Sequence, residues 1–71
     1  MTVGGALAQA GLAPIDAQVL LAFVVGRDRS WLVAHRDDAL SREHLDAYNA
    51  LTRRRRDGEP VAYLTGMREF W

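Results

Sequence analysis

Four consecutive arginines, Arg53-Arg54-Arg55-Arg56, are the densest concentration of reactive chemistry in the chain. A guanidinium is permanently charged and presents planar donors that match carboxylate and phosphate oxygens. The run is therefore a candidate contact for an acidic protein surface or an RNA backbone. It has a second reading, as a solvated helix end whose cations complement the dipole and pair with Asp57 or Glu59. Neighbouring helical residues diverge by about 100°, so only two of the four can share one face, which weakens the RNA reading.

The other residue types that do chemistry are sparse. His35 and His44 are the two histidines, and neither has a second imidazole or a carboxylate four residues away, the spacing of a helical metal motif. Both read as surface histidines. Ser30 and Ser41 have no histidine partner by local pattern, so nucleophilic catalysis finds no support. No cysteine is present, which removes disulfides, thiolate metal sites and thiol nucleophiles together. The six glycines do not follow a buried strand and open a helix, as a phosphate-cradling loop would require, and read instead as helix punctuation. No catalytic, cofactor-binding or metal-ligating residue is assigned.

Composition narrows the partners. Nine basic and nine acidic residues give a formal net charge of zero, so no broad positive field attracts nucleic acid or anionic lipid. The apolar run Val19 to Val25 is far short of the roughly 20 residues a bilayer requires, and the first residues lack the basic start of a signal peptide. The expectation is a cytoplasmic domain. Its 71 residues permit one modest core.

Helices must position these residues. Val3, Ala6, Leu7 and Ala10 stand at helical spacing, and Gly11 supplies a left-handed stop. Pro14 suits the first turn of a second helix, with Asp16 at its positive end, and the helix runs to Val25 before Gly26. Its residues Ile15, Val19, Leu20, Ala22, Phe23 and Val24 leave almost no polar face, so it should be central. Asp28 caps a short third helix anchored by Trp31, and residues 35–38 form a turn. Ser41 caps the fourth helix, with Leu40 and Leu45 placed as a hydrophobic staple, and the arginine run fills its last turn. Pro60 occupies a first-turn position of a final short helix, where Val61, Tyr63 and Leu64 supply apolar contacts and Gly66 ends it. Met67-Arg68-Glu69-Phe70-Trp71 then reads as the start of a strand or connection. The expected fold is all-α, a bundle of four to five short helices over residues 1–66, with 67–71 leading elsewhere.

Three stretches together carry a family signature: Leu7-Ala8-Gln9-Ala10-Gly11-Leu12, the segment Asp16 to Arg29, and Arg54-Arg55-Arg56-Asp57-Gly58-Glu59-Pro60-Val61-Ala62-Tyr63-Leu64-Thr65-Gly66-Met67-Arg68-Glu69-Phe70. In them the chain resembles the N-terminal domain of the release factor glutamine methyltransferases, the PrmC/HemK family. The third stretch is the most specific, because it combines glycine, proline and polar identities that a generic bundle does not need. Phe23 departs from the histidine of many members at a packing position. The resemblance implies a five-helix domain, a downstream S-adenosylmethionine-binding α/β domain, and class-1 peptide chain release factors as protein substrate. It implies that the family's glycine-rich cofactor loop and Asn-Pro-Pro-Tyr motif lie outside this chain, whose only prolines are Pro14 and Pro60, so the domain alone is expected to be inactive. Arg53, Arg54, Arg55 and Arg56 become substrate-contact candidates. Glu59, Pro60, Tyr63, Glu69 and Phe70 become candidates for setting the interdomain angle. A purely structural module and an RNA-binding bundle are the alternatives.

Overall fold

A computed structural model describes residues 1–66. It contains five helices: α1 (Val3–Gln9), α2 (Pro14–Val25), α3 (Arg29–Ala34), α4 (Arg42–Arg56) and α5 (Val61–Gly66). Among the described residues there is no strand, only an isolated antiparallel bridge between Thr2 and Ala39.

Side-chain caps set three of the starts. Thr2 Oγ1 accepts from the Gly5 amide at 3.0 Å, Asp28 Oδ1 from Trp31 at 2.8 Å, and Ser41 Oγ from His44 at 3.2 Å. Each satisfies an amide that would otherwise lack an intrahelical partner. Pro14 opens α2 because its fixed φ suits the first turn and its absent N–H leaves nothing unpaired. Gly11 and Gly26 follow α1 and α2 with φ of 70° and 72°, the left-handed conformation that glycine adopts without a Cβ penalty.

As its continuous apolar sequence demands, α2 is the hub and packs against each of the other four helices. The core is formed by Val3, Ala6 and Ala10 of the α1 region, Ala17, Leu20 and Leu21 of α2, Leu32 of α3, Tyr48 of α4 and Leu64 of α5. Alanines at 6, 10 and 17 let α1 and α2 approach closely. Tyr48 is the largest fully buried side chain, and its hydroxyl donates to the Ala6 carbonyl at 3.2 Å, joining α4 to α1. Burial pushes the Tyr48 phenol up to about 12, since phenolate would be poorly solvated there. Thr52, the one buried polar side chain among the described residues, donates to the Asn49 carbonyl at 3.0 Å.

Three apolar residues lie further out than the sequence pattern suggests. Trp31 is only half-buried and Leu32 takes its place in the core; Tyr63 is 59% exposed while Leu64 is buried; Ile15 is 51% exposed. In each of the first two cases adjacent residues on a helix point about 100° apart, so a helix of two turns or fewer seats one of the pair and turns the other out. Pro60 precedes α5 rather than lying in its first turn, and its carbonyl accepts from both Tyr63 and Leu64 at 3.1 Å.

Candidate functional site

At the end of α4 the helix is closed by a turn that folds back on it. Asp57 and Gly58 amides donate to the carbonyls of Arg53 and Arg55 at 3.0 Å each, and the Glu59 amide donates to that of Arg54 at 3.2 Å. Gly58 makes this reversal with φ of 107°, a conformation costly for any residue with a Cβ. The result carries the Glu59 carboxylate alongside α4.

There it meets Arg54 in a two-pronged pair. Nε donates to Oε2 at 2.9 Å and a terminal nitrogen to Oε1 at 2.7 Å. This fork geometry gives charge-assisted bonds with fixed orientation. The hydrogen bond from Arg54 holds the Glu59 carboxyl below the usual glutamate range, and the same bond raises the guanidinium further above its already high value. Arg55 turns the other way. Its Nε donates to Asp16 Oδ2 of α2 at 3.3 Å, and a terminal nitrogen donates to the Glu59 carbonyl at 3.4 Å. Thus Asp16, placed by sequence at the positive end of α2, also receives a side chain from 39 residues away.

The arginine run therefore divides. Arg54 and Arg55 are half-buried and engaged within the domain, whereas Arg53 and Arg56 are exposed and form no ion pair among the described residues. Arg56 lies over Gly11, its Cδ within 3.8 Å of where a Cβ on that glycine would stand. Glu59 was placed by sequence as a counter-charge to the run and is one; Asp16 was not, because no local pattern links α2 to the end of α4.

Of the residues expected to set an interdomain angle, Glu59, Pro60 and Tyr63 cluster around the α4–α5 turn, and Tyr63 presents an exposed ring. Glu69 and Phe70 lie outside the described residues, as does the connection expected over 67–71.

The histidines differ from each other. His44 is exposed, as expected. His35 is half-buried: its ring stacks on Trp31 with centroids 4.2 Å apart, and its Nδ1 donates to the Trp31 carbonyl at 2.9 Å. The Arg27 guanidinium lies 5.9 Å from the Trp31 ring centroid. Trp31 thus packs against the core from a half-buried position while its ring also stacks on His35. Among the described residues no helix is long and apolar enough to cross a membrane.

Comparison with known proteins gives this geometry a family. The chain is 50% identical over 56 residues to the release factor glutamine methyltransferase of Escherichia coli (strain K12), a match covering 79% of the chain and 20% of that protein. It is 47% identical over 64 residues to the protein of the same name from Bordetella pertussis, covering 90% of the chain and 24% of the relative. The Aliivibrio fischeri protein of that name is 47% identical over 57 residues, 80% of the chain and 20% of the relative. The chain thus spans between a fifth and a quarter of the length of these relatives. No solved structure matches it. The family model described as the PrmC N-terminal domain matches residues 4–66, which takes in all five helices but the first residue of α1, and the chain belongs to that family.

Proposed function

We propose that this domain is part of an S-adenosylmethionine-dependent enzyme that methylates the glutamine of the Gly-Gly-Gln motif in class-1 peptide chain release factors, and that within it the bundle binds and orients the release factor. The observation that carries this reading is the 50% identity over 56 residues to proteins named release factor glutamine methyltransferase. The work of such a domain is positional. A side-chain amide is a weak nucleophile, and holding a large protein so that one amide sits against a methyl donor supplies rate through orientation.

The cofactor does not fit the residues described here. Gly11, Gly26 and Gly58 each take a positive φ just after a helix ends, and none opens a helix from a strand in the way a nucleoside-binding loop does. S-adenosylmethionine belongs, on this reading, to polypeptide beyond this domain. The test uses the full-length protein, a purified class-1 release factor and methyl-labelled S-adenosylmethionine, with mass spectrometry of the acceptor peptide. Label on the Gly-Gly-Gln glutamine is the expected result, and its absence sinks the reading.

A second role for the same domain is favoured by the α4–α5 turn. The forked Arg54–Glu59 pair closes that turn and the Tyr63 ring stands exposed in the helix that follows it, a seat for a further part of the enzyme. If that seat fixes the angle to the rest of the enzyme, Tyr63→Ala lowers kcat with the release-factor KM unchanged. A rise in KM alone would assign Tyr63 to substrate contact instead.

A further inference from the structure

Internal pairing at the end of α4 takes two guanidiniums out of the arginine run and leaves two. Arg54 gives both prongs to Glu59, and Arg55 is shared between Asp16 and the Glu59 carbonyl. Arg53 and Arg56 are exposed, and neither meets a carboxylate among the described residues. Three residues apart, they stand about 60° from each other around the helix and about 4.5 Å along it, so they share a face. The acid that follows them in sequence, Asp57, pairs with neither. Like charges on adjacent turns repel, and a carboxylate supplied from outside relieves that repulsion.

The shared face can be traced along the helix. Arg42, Asp46, Asn49, Arg53 and Arg56 recur at three- and four-residue spacing, and all five are exposed. Arg42 is matched by Asp46 at 3.3 Å, so the unmatched positive charge gathers at the carboxyl end. Arg56 is held in place there without a counter-ion. Its side chain lies over the α1–α2 connection, with a terminal nitrogen 3.6 Å and Cδ 3.8 Å from where a Cβ on Gly11 would stand. A guanidinium already oriented in this way loses less freedom when a partner arrives.

The same stripe discriminates among anions. A nucleic-acid strand would run a continuous row of phosphates past Asp46 and would find no aromatic ring among the five residues to stack on. The formal net charge of zero supplies no broad field to draw such a polymer in. Two guanidiniums one helical turn apart match instead two carboxylates at similar spacing on a protein surface, the fork geometry that Arg54 makes with Glu59. Resting on the function proposed above, we infer that Arg53 and Arg56 are the part of the run that meets the release factor, through two acidic side chains about one helical turn apart, while Arg54 and Arg55 hold the α4–α5 turn. Contacts made by a domain that does not hold the cofactor are equally strong before and during methyl transfer. Such uniform binding acts on KM and leaves kcat alone.

The experiment measures release-factor KM and kcat on the full-length protein at saturating S-adenosylmethionine, at low and at physiological ionic strength. Two double variants, Arg53→Ala with Arg56→Ala and Arg53→Glu with Arg56→Glu, are compared with Arg29→Ala, which removes an exposed α3 arginine that likewise has no carboxylate. Loss of two exposed charge pairs is expected to raise KM about threefold to tenfold with kcat unchanged, and charge reversal to raise it further. Added salt should narrow the gap to wild type, because it screens exposed charges. Arg53→Lys with Arg56→Lys keeps both charges and is expected to restore most of the affinity. Unchanged KM in both the alanine and the glutamate variants overturns the inference and leaves the proposed function standing. An equal rise in KM from Arg29→Ala overturns it too, since any surface arginine would then serve. A fall in kcat at constant KM means that the pair meets the enzyme's own polypeptide. Wild-type binding of a single-stranded RNA oligonucleotide that the glutamate variant loses, with release-factor KM unchanged, means that the pair meets phosphate; either result overturns the inference. Wild-type protein that transfers no methyl group to the release factor overturns both readings.

Discussion

At the amino end of α4, Arg42 Nε reaches Asp46 at 3.3 Å; near its carboxyl end, Arg55 Nε reaches Asp16 at the same 3.3 Å. The residue types and the distance are identical, yet the surroundings are not. Arg42 and Asp46 are neighbours on one turn with side chains 86% and 66% exposed, whereas Arg55 and Asp16 come from different helices and are 33% and 26% exposed. The first pair holds nothing that the helix does not already hold. The second closes α4 onto α2, and its neighbour Arg54 binds the turn that launches α5. An ion pair contributes structure in proportion to what it spans and how little water screens it. The comparison also separates both ends from the middle of α4, where Tyr48 is buried and its hydroxyl bonds the Ala6 carbonyl of α1 without any charge.

The largest break in that pattern comes from the middle. Tyr48→Ala empties the largest buried side chain and is expected to cost about 3–5 kcal/mol, read as a lower denaturation midpoint in urea. In a bundle this small such a loss is a large share of the total stability. Tyr48→Phe keeps the packing and removes the bond to Ala6, so a loss near 1 kcal/mol is expected. The same phenol gives an alkaline signature. Its folded pKa of about 12 lies above the ordinary value of 10.0, so the folded state holds its proton longer, and stability falls as pH rises from 10 towards 12. Tyr48→Phe should abolish that slope. A Tyr48→Ala protein as stable as wild type would show that α4 is held by its ends.

What sequence made legible follows the same division. Caps and stops are local chemistry, so Asp28, Ser41, Pro14, Gly11 and Gly26 marked helix ends that the structure bears out. The centrality of α2 followed from its lack of a polar face. Long-range relations had no local trace: the Asp16–Arg55 pair joins positions 39 apart, and nothing near either residue distinguishes it from a solvated charge. Short helices were ambiguous for a different reason. In α3 and α5, Trp31-Leu32 and Tyr63-Leu64 each offered two apolar neighbours, and rotation about the helix axis chose the leucine both times.

A smaller effect comes from the carboxyl end of α4. The Glu59 carboxyl is held below the ordinary glutamate range by Arg54, so its pairing stabilises the fold above that range and is lost as pH falls through the depressed value. Glu59→Gln cannot make the charged pair. Its stability is therefore expected to lie below wild type at neutral pH and to converge on wild type in acid, followed by thermal unfolding at a series of pH values. Equal gaps at pH 7 and in acid would mean that the turn is held by its backbone bonds and Gly58 alone.

The finest test sets the two arginine–aspartate pairs against each other by double-mutant cycles, Arg55→Ala with Asp16→Ala and Arg42→Ala with Asp46→Ala. Coupling in the exposed pair is expected near 0.3 kcal/mol, typical of adjacent-turn helix pairs, and between-helix coupling nearer 1 kcal/mol. High salt should erase the first and diminish the second less, because partial burial limits screening. Equal couplings at both ends would remove burial as the cause of the difference. Arg55 would then be as weakly held as a solvated residue of a helix terminus, and the closure of α4 onto α2 would rest on the core rather than on its ion pair with Asp16.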